Sequence, residues 1–275
     1  MSYKEPLSQK AVAIAISDSP EMAGLGLAPE HLRDAMAEIA RHLLAMGARL
    51  VYGGDLRANG FTELLFELVA RYRRDADLGD VRPAIVNYLA WPIVVSKPAG
   101  ELQALAQELT GLAELHCLDR YGAELAIAAL DGMARPQVTE ADWADALTAM
   151  RDILTEVSDA RVVLGGRVDG YKGRMPGIAE EALTALEAGQ PLFILGGFGG
   201  CARDVAAMLK LVPQPPIAPT WAGREAFEPF DESALTNGLT AEENGVLART
   251  VHVDEAVALI LRGLLRLAAR PAGTA

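Results

Sequence analysis

The sequence predicts an α/β fold: a Rossmann-like, doubly wound, mainly parallel sheet with helices on both faces. Three observations lead there. Short apolar runs of strand length alternate with longer stretches whose apolar residues recur at helical spacing. Three of the strand-like runs end in a glycine pair: Gly53–Gly54, Gly165–Gly166 and Gly196–Gly197. No internal repeat of fixed period interrupts the alternation, so residues 1–275 read as a single domain.

"AVAIAIS" (11–17) has the length and β-branched content of a buried strand, and a loop with Gly24, Gly26 and Pro29 follows. From Glu30 to Met46, Leu32, Met36, Ile39, Leu43 and Leu44 recur at helical spacing, and Gly47 marks the stop. "ARLVYGGD" (48–55) reads as the second strand and 61–74 as the second helix. A third strand is expected over 83–91 and a third helix over 99–113. "AELHCLD" (113–119) fits either a strand or an extension of that helix. A long helical stretch covers 139–160, with Thr139 as N-cap. "RVVLGG" and "QPLFILGG" are two more strands ending in glycine pairs, separated by a helix over about 177–189. Residues 212–238 are rich in proline and read as a surface excursion, and 254–269 form an amphipathic helix. Val257, Ile260, Leu261, Leu264 and Leu265 on that helix suit either a homodimer or packing on the chain's own sheet.

Bulk properties narrow the function. Apolar residues make up 51 % and charged residues 23 %, and the formal net charge is −12. That acidic total argues against a general nucleic-acid binder, although a local basic loop can still hold a small anion. Cys117 and Cys201 each stand alone, so neither a zinc site nor a disulfide framework is expected. The first ten residues lack the apolar core of a signal peptide, and no window approaches 18 uninterrupted apolar residues. A cytoplasmic protein with no membrane span, no metal and no cofactor fits these features. Nucleophile motifs are absent, and His31, His42, His116 and His252 have no evident catalytic partner.

In an open parallel sheet, ligands sit beyond the carboxyl ends of the strands. A glycine there lets a ligand approach the backbone amides, and the next helix N-terminus suits phosphate. No GxxxxGK[ST] run is present. "GFGGCA" (197–202) matches G-x-G-x-x-A through Gly197 and Gly199, but the acid expected about 20 residues on is missing, which disfavours a plain nicotinamide dehydrogenase. Ser17, Asp18 and Ser19 close the first strand and either make its turn or face the ligand.

"VVLGGRVDGYKGRMPGIAEEAL" (162–183) concentrates the remaining chemistry. Arg167, Lys172 and Arg174 are placed to clamp a phosphate, and Tyr171 either stacks on a base or covers the loop. On a helical wheel starting at Ile178, residues Ala179, Ala182, Leu183 and Leu186 share one face. Glu180 falls nearly opposite and Glu181 on the flank, which favours Glu181 as the site acid.

Two segments carry a family resemblance. "ARLVYGGDLRANGFTELL" resembles the second strand and glycine loop of the LOG proteins, the cytokinin-activating phosphoribohydrolases. "DARVVLGGR…PGIAEEAL" resembles their PGGxGTxxE motif with an insertion, and "GQPLFILGG" their next strand. The order of motifs over 11–210 resembles the wider SLOG superfamily, in the branches that bind nucleotide-derived ligands. The resemblance implies that Gly53, Gly54, Gly165, Gly166 and Gly177 line the ligand and that Glu181 takes the catalytic glutamate's place. Ile178 stands where those enzymes have threonine, Asp55 replaces the third glycine of the first loop, and Arg174 is the candidate for the arginine beside the glutamate.

Two functions follow as expectations. One is a sensor that binds a nucleotide or NAD-derived ribosyl phosphate at the strand ends. The alternative is an enzyme that cleaves an N-glycosidic bond, with Glu181 stabilising positive charge on the sugar and Arg174 holding the phosphate.

Overall fold

The computed structural model of the chain describes residues 5–75, 83–132, 135–214 and 220–269. Its centre is a sheet of strands β1 (Ala11–Ser17), β2 (Arg49–Tyr52), β3 (Ile85–Leu89), β4 (Ala113–Leu118), β5 (Glu124–Leu125), β6 (Ala160–Gly165) and β7 (Leu192–Leu195). The spatial order is β5-β4-β3-β2-β1-β6-β7, parallel throughout except for β5, which returns antiparallel along β4. The chain moves outward on one side of β1 and then jumps to β6 on the other. β1 and β6 therefore flank the point where a doubly wound sheet opens a crevice at its carboxyl edge.

Alternation along the central strands explains the layers. Val12, Ile14 and Ile16 of β1 and Val162 and Leu164 of β6 share one core with α1 (Pro29–Ala45) and α9 (Val253–Ala268). α1 supplies Leu32, Met36, Ile39 and Leu43 to it, and each such side chain contributes about 1.5–3 kcal/mol on burial. α2 (Phe61–Asp75) and α4 (Ala99–Glu108) lie on this same face. Ala13, Ala15, Val51 and Val163 point to the other face. There α5 (Glu140–Glu156), α6 (Gly177–Glu187) and α7 (Gly200–Met208) pack, through Met150 and Leu154, Ile178 and Ala182, and Val205 respectively. Doubly wound α/β, mainly parallel, is the observed architecture.

Most predicted elements are present, with informative departures. The 113–119 ambiguity resolves as β4, because α4 ends at Glu108. The third strand stops at Leu89, and Trp91–Ser96 forms a short helix, α3, with Pro92 in its first turn. Proline at a helix start removes only an N–H that would lack a partner anyway. Thr139 caps α5 as expected, its hydroxyl accepting from the Asp142 N–H at 3.2 Å. The excursion contains short 3-10 turns at Arg224–Phe227 and Glu232–Leu235, and residues 215–219 lie outside the described residues. α8 (Ala241–Arg249), which the sequence reading passed over, begins with a reciprocal capping box between Thr240 and Glu243. The apolar face of α9 is covered by its own sheet and by α1, with Val257, Ile260 and Leu264 buried. No helix among the described residues is long and apolar enough to cross a membrane.

Candidate functional site

Three chain turns meet at the carboxyl ends of β1, β6 and β7. Ser17 stands beside Gly165 in the register, and its carbonyl accepts from the Gly166 N–H at 2.9 Å. The Gly166 carbonyl in turn accepts from the Cys201 N–H, in the first turn of α7, at 2.8 Å. The three turns are therefore stitched together through backbone alone. Gly166 has φ +99°, and a Cβ there would press on Ile178 and Cys201 at 2.5–3.0 Å. Gly199, which caps α7 at φ +74° and ψ −161°, occupies backbone space that is essentially reserved for glycine. A side chain at Gly200 would run into the Gly166 carbonyl oxygen.

Ser19 lies against this turn. It is 8 % exposed, and its hydroxyl is buried without a hydrogen-bond partner, 3.0 Å from where a Cβ on Gly200 would sit. The Gly200 N–H donates to Oε2 of Glu21 at 3.0 Å, so the start of α7 is already faced by a carboxylate. Buried side-chain atoms without partners also occur at Asn87, Arg151, Arg161 and Gln190 among the described residues. Of these residues, Ser19 lies beside Gly200 at the start of α7, whereas Arg151 lies against Gly173 and Gly177.

The acids of the opening of α6 have a different environment. The wheel sets Glu180 opposite the apolar face, yet Glu180 and Glu181 are both buried, because α5 closes over the side of α6 that the sheet leaves open. Each meets a buried arginine. Arg151 of α5 donates to Glu180, which also accepts from the Thr148 hydroxyl at 2.5 Å. Arg161, a strand residue of β6 whose side chain is fully enclosed, donates to Glu181 and to the Thr155 hydroxyl, the latter at 3.0 Å. Burial raises the Glu181 carboxyl above its ordinary range, opposed by the charges of Arg161 and Arg151. Burial likewise lowers the Arg161 guanidinium, opposed by Glu181. Both shifts follow from desolvation, and each group's partner offsets part of its cost.

Arg151 also explains the glycines around it. A Cβ at Gly177 would stand 2.8 Å from its Nη2, and one at Gly173 would stand 2.9 Å from its Nη1. The arginine that bonds Glu181 is Arg161 and the one that bonds Glu180 is Arg151; Arg174 instead bonds Asp145 at 2.7 Å on an exposed face. Lys172 sits over the Trp143 ring at 3.9 Å, a cation–π contact with α5. Arg167 is exposed at the exit of the Gly166 turn. Tyr171 packs with Trp221 and Phe227 of the excursion, and its hydroxyl accepts from the Ala222 N–H at 3.4 Å. The excursion is anchored in turn on α7, where Asp204 accepts from Trp221 Nε1 at 2.5 Å and pairs with Arg224.

The first glycine loop is filled by packing. A Cβ at Gly53 would meet Leu154 and Met150 at 2.6 and 2.8 Å, and Gly54 lies against the Tyr52 ring and Thr62. Asp55, beside them, forms an ion pair with Arg57 at 2.5 Å, and its carbonyl accepts from the Thr62 hydroxyl. Burial, then Asp55 and Glu181, then Asp18 among the smaller contributions, push the Tyr52 hydroxyl up. Asp18 itself is exposed at the end of β1. Gly197 abuts the Thr250 carbonyl at the end of α8. The two thiols are buried, with Cys201 pushed up to about 12 and Cys117 to about 11, so neither is a ready nucleophile. Among the described residues, no group of three His, Cys, Asp or Glu side chains is placed to hold a metal ion.

Sequence reasoning missed Arg151, Arg161, Glu21 and Gly200. A charged residue opening an otherwise apolar strand, as in "ARVVLGG", was the available signal for Arg161. No curated protein matches the chain. With its Rossmann-like sheet and glycine turns, the chain matches the family model SLOG cluster2 over residues 6–244 and belongs to the SLOG family of nucleotide-related Rossmannoid domains.

Proposed function

We propose that the crevice between the carboxyl ends of β1, β6 and β7 binds a nucleotide or an NAD-derived ribosyl phosphate, and that the protein acts as a sensor of that ligand without consuming it. The observation that carries this reading is the convergence of the Ser17, Gly166 and Gly199–Gly200 turns at the topological switch point. Glycine lets these turns pack backbone against backbone, and the α7 N-terminus adds partial positive charge that suits a phosphate. Family membership supports the nucleotide class.

The choice of binding over turnover rests on Glu181. A carboxylate that stabilises an oxocarbenium-like sugar must face the ligand, whereas Glu181 is enclosed between α6 and β6 and bonded to Arg161. Its raised pKa, and its place in a segment that resembles the LOG motif, favour the alternative, an N-glycosidic-bond hydrolase with Glu181 as the acid.

Incubation with AMP, other nucleoside monophosphates, NAD and ADP-ribose, followed by mass spectrometry, separates the readings. An intact compound retained through washing is the expected result. Released base or nicotinamide that disappears in Glu181→Gln would establish the hydrolase instead. If no compound in the panel is either retained or cleaved, the nucleotide reading falls.

A further inference from the structure

We infer that Glu21 is a resident stand-in for the ligand's phosphate: its carboxylate occupies the α7 N-terminus beside Ser19, and the ligand binds by displacing it. This rests on the nucleotide-binding reading above and adds where the phosphate docks and what it must expel.

The Gly200 N–H has its acceptor in Glu21 Oε2 at 3.0 Å. Three of the four residues Gly197–Gly200 that lead into helix α7 are glycine. The Gly199 N–H is taken by the Gly196 carbonyl at 3.0 Å and the Cys201 N–H by the Gly166 carbonyl at 2.8 Å, so the Gly200 N–H is the amide that turns to Glu21. Ser19 is the independent pointer. Its hydroxyl is buried and unpartnered at the same turn, and a buried hydroxyl left unmet costs the desolvation it underwent on folding. One carboxylate satisfies the amide and leaves the hydroxyl unmet. A phosphate brings three strong acceptor oxygens and more negative charge, so it can take both the Gly200 N–H and the Ser19 O–H.

The segment is built to release Glu21 without unfolding. Glu21 itself is exposed, whereas its neighbour Met22 is buried at 3 % exposure. Met22 donates to the Ser19 carbonyl at 3.3 Å and accepts from the Leu27 N–H at 2.9 Å. These backbone bonds hold the Met22–Leu25 turn whether or not the Glu21 side chain is in place. Gly199 keeps the approach close: a Cβ there would lie 3.0 Å from Glu21 Oε2 and 3.1 Å from its Cβ.

The test is the thermal shift produced by inorganic phosphate, with chloride at matched ionic strength as reference, in the wild type, Glu21→Ala, Glu21→Gln and Glu21→Ala/Ser19→Ala. Glu21→Ala is expected to respond at about tenfold lower phosphate than the wild type, a difference of about 1.4 kcal/mol. Glu21→Gln, which keeps an acceptor but not the charge, is expected to fall between them. Adding Ser19→Ala is expected to abolish the gain. The same phosphate dependence in all four proteins overturns the inference. A nucleotide panel that binds neither the wild type nor Glu21→Ala, while Glu21→Ala still gains its phosphate response, overturns the nucleotide reading and leaves the anion site standing.

Discussion

Two neighbouring strand-to-helix turns treat polar groups in opposite ways. Where β6 crosses to α6, two carboxylates and two guanidiniums are buried, and each acid meets an arginine. Where β7 crosses to α7, the backbone is rich in glycine, the buried Ser19 hydroxyl is unmet, and the carboxylate present comes from an exposed loop residue. In the first turn every charge has its counter-charge, although Nε of Arg151 and Nε of Arg161 make no hydrogen bond. The second has no counter-charge inside it and leaves the Ser19 hydroxyl without a partner. A buried charge beside its counter-charge offsets part of its own desolvation, whereas the unmet Ser19 hydroxyl at the carboxyl edge of the sheet is the feature on which the proposed ligand site rests.

The largest expected effect breaks the first turn. Arg161→Met strands Glu181 in the interior and is expected to cost about 3–5 kcal/mol in chemical denaturation. Pairing it with Glu181→Leu, which removes the orphaned charge, is expected to recover most of that loss. A single variant as stable as the wild type would mean that water reaches Glu181 once Arg161 is gone.

Alanine in each turn gives a smaller effect and sharpens the contrast. Gly166→Ala and Gly199→Ala both impose a side chain on a positive-φ residue, at a cost of about 1–3 kcal/mol. At Gly166 the obstruction is Ile178 and Cys201, part of the core, so a second change at Glu21 is expected to bring no relief. At Gly199 the obstruction includes Glu21, so Glu21→Ala is expected to recover part of the loss. Equal behaviour of the two glycines in thermal unfolding would erase the distinction.

Ser19→Ala is expected to leave stability unchanged or raise it by about 1 kcal/mol, since the hydroxyl makes no bond to lose. The smallest effect lies far from the site, at Glu243, which joins α8 to α9. Hydrogen bonds from Arg266, the Thr240 N–H and Arg262 hold its carboxyl down at about 2. A lowered folded-state pKa contributes stability that is present above the ordinary value near 4.5 and is lost as pH falls through about 2. Glu243→Gln is accordingly expected to flatten the acid-unfolding profile between those limits without touching ligand binding.

The fold was legible because strand alternation and helical spacing survive in a single sequence. β1, β2, β6 and β7 are found where apolar runs stop at a turn residue or glycine. α8 was legible too, through the Thr240–Glu243 spacing, but it follows a proline-rich stretch that drew attention as irregular chain. The site was harder to see. A helical wheel assumes one apolar side, whereas α6 is wedged between β6 and α5 and is buried nearly all round, so Glu180 turned inward. Arg151 lies one residue past Met150 in the apolar stripe Ala146–Met150–Leu154, and only the neighbouring helix reveals that it is enclosed. Glu21 and Gly200 are separated by 179 positions, and no local pattern links them.

The most direct measurement is a calorimetric titration of AMP and ADP-ribose into the wild type, Ser19→Ala and Glu181→Gln, each also followed by denaturation. The expected result is a separation of effects. Ser19→Ala keeps its stability and loses about tenfold in affinity, about 1.4 kcal/mol, while Glu181→Gln loses stability and, where folded, still binds the intact compound. The contradicting result is the reverse: Glu181→Gln folds as well as the wild type yet no longer binds or turns over the compound, and Ser19→Ala binds unchanged. That outcome would place the ligand on the acids of α6 and leave the glycine turn of α7 as mere scaffold.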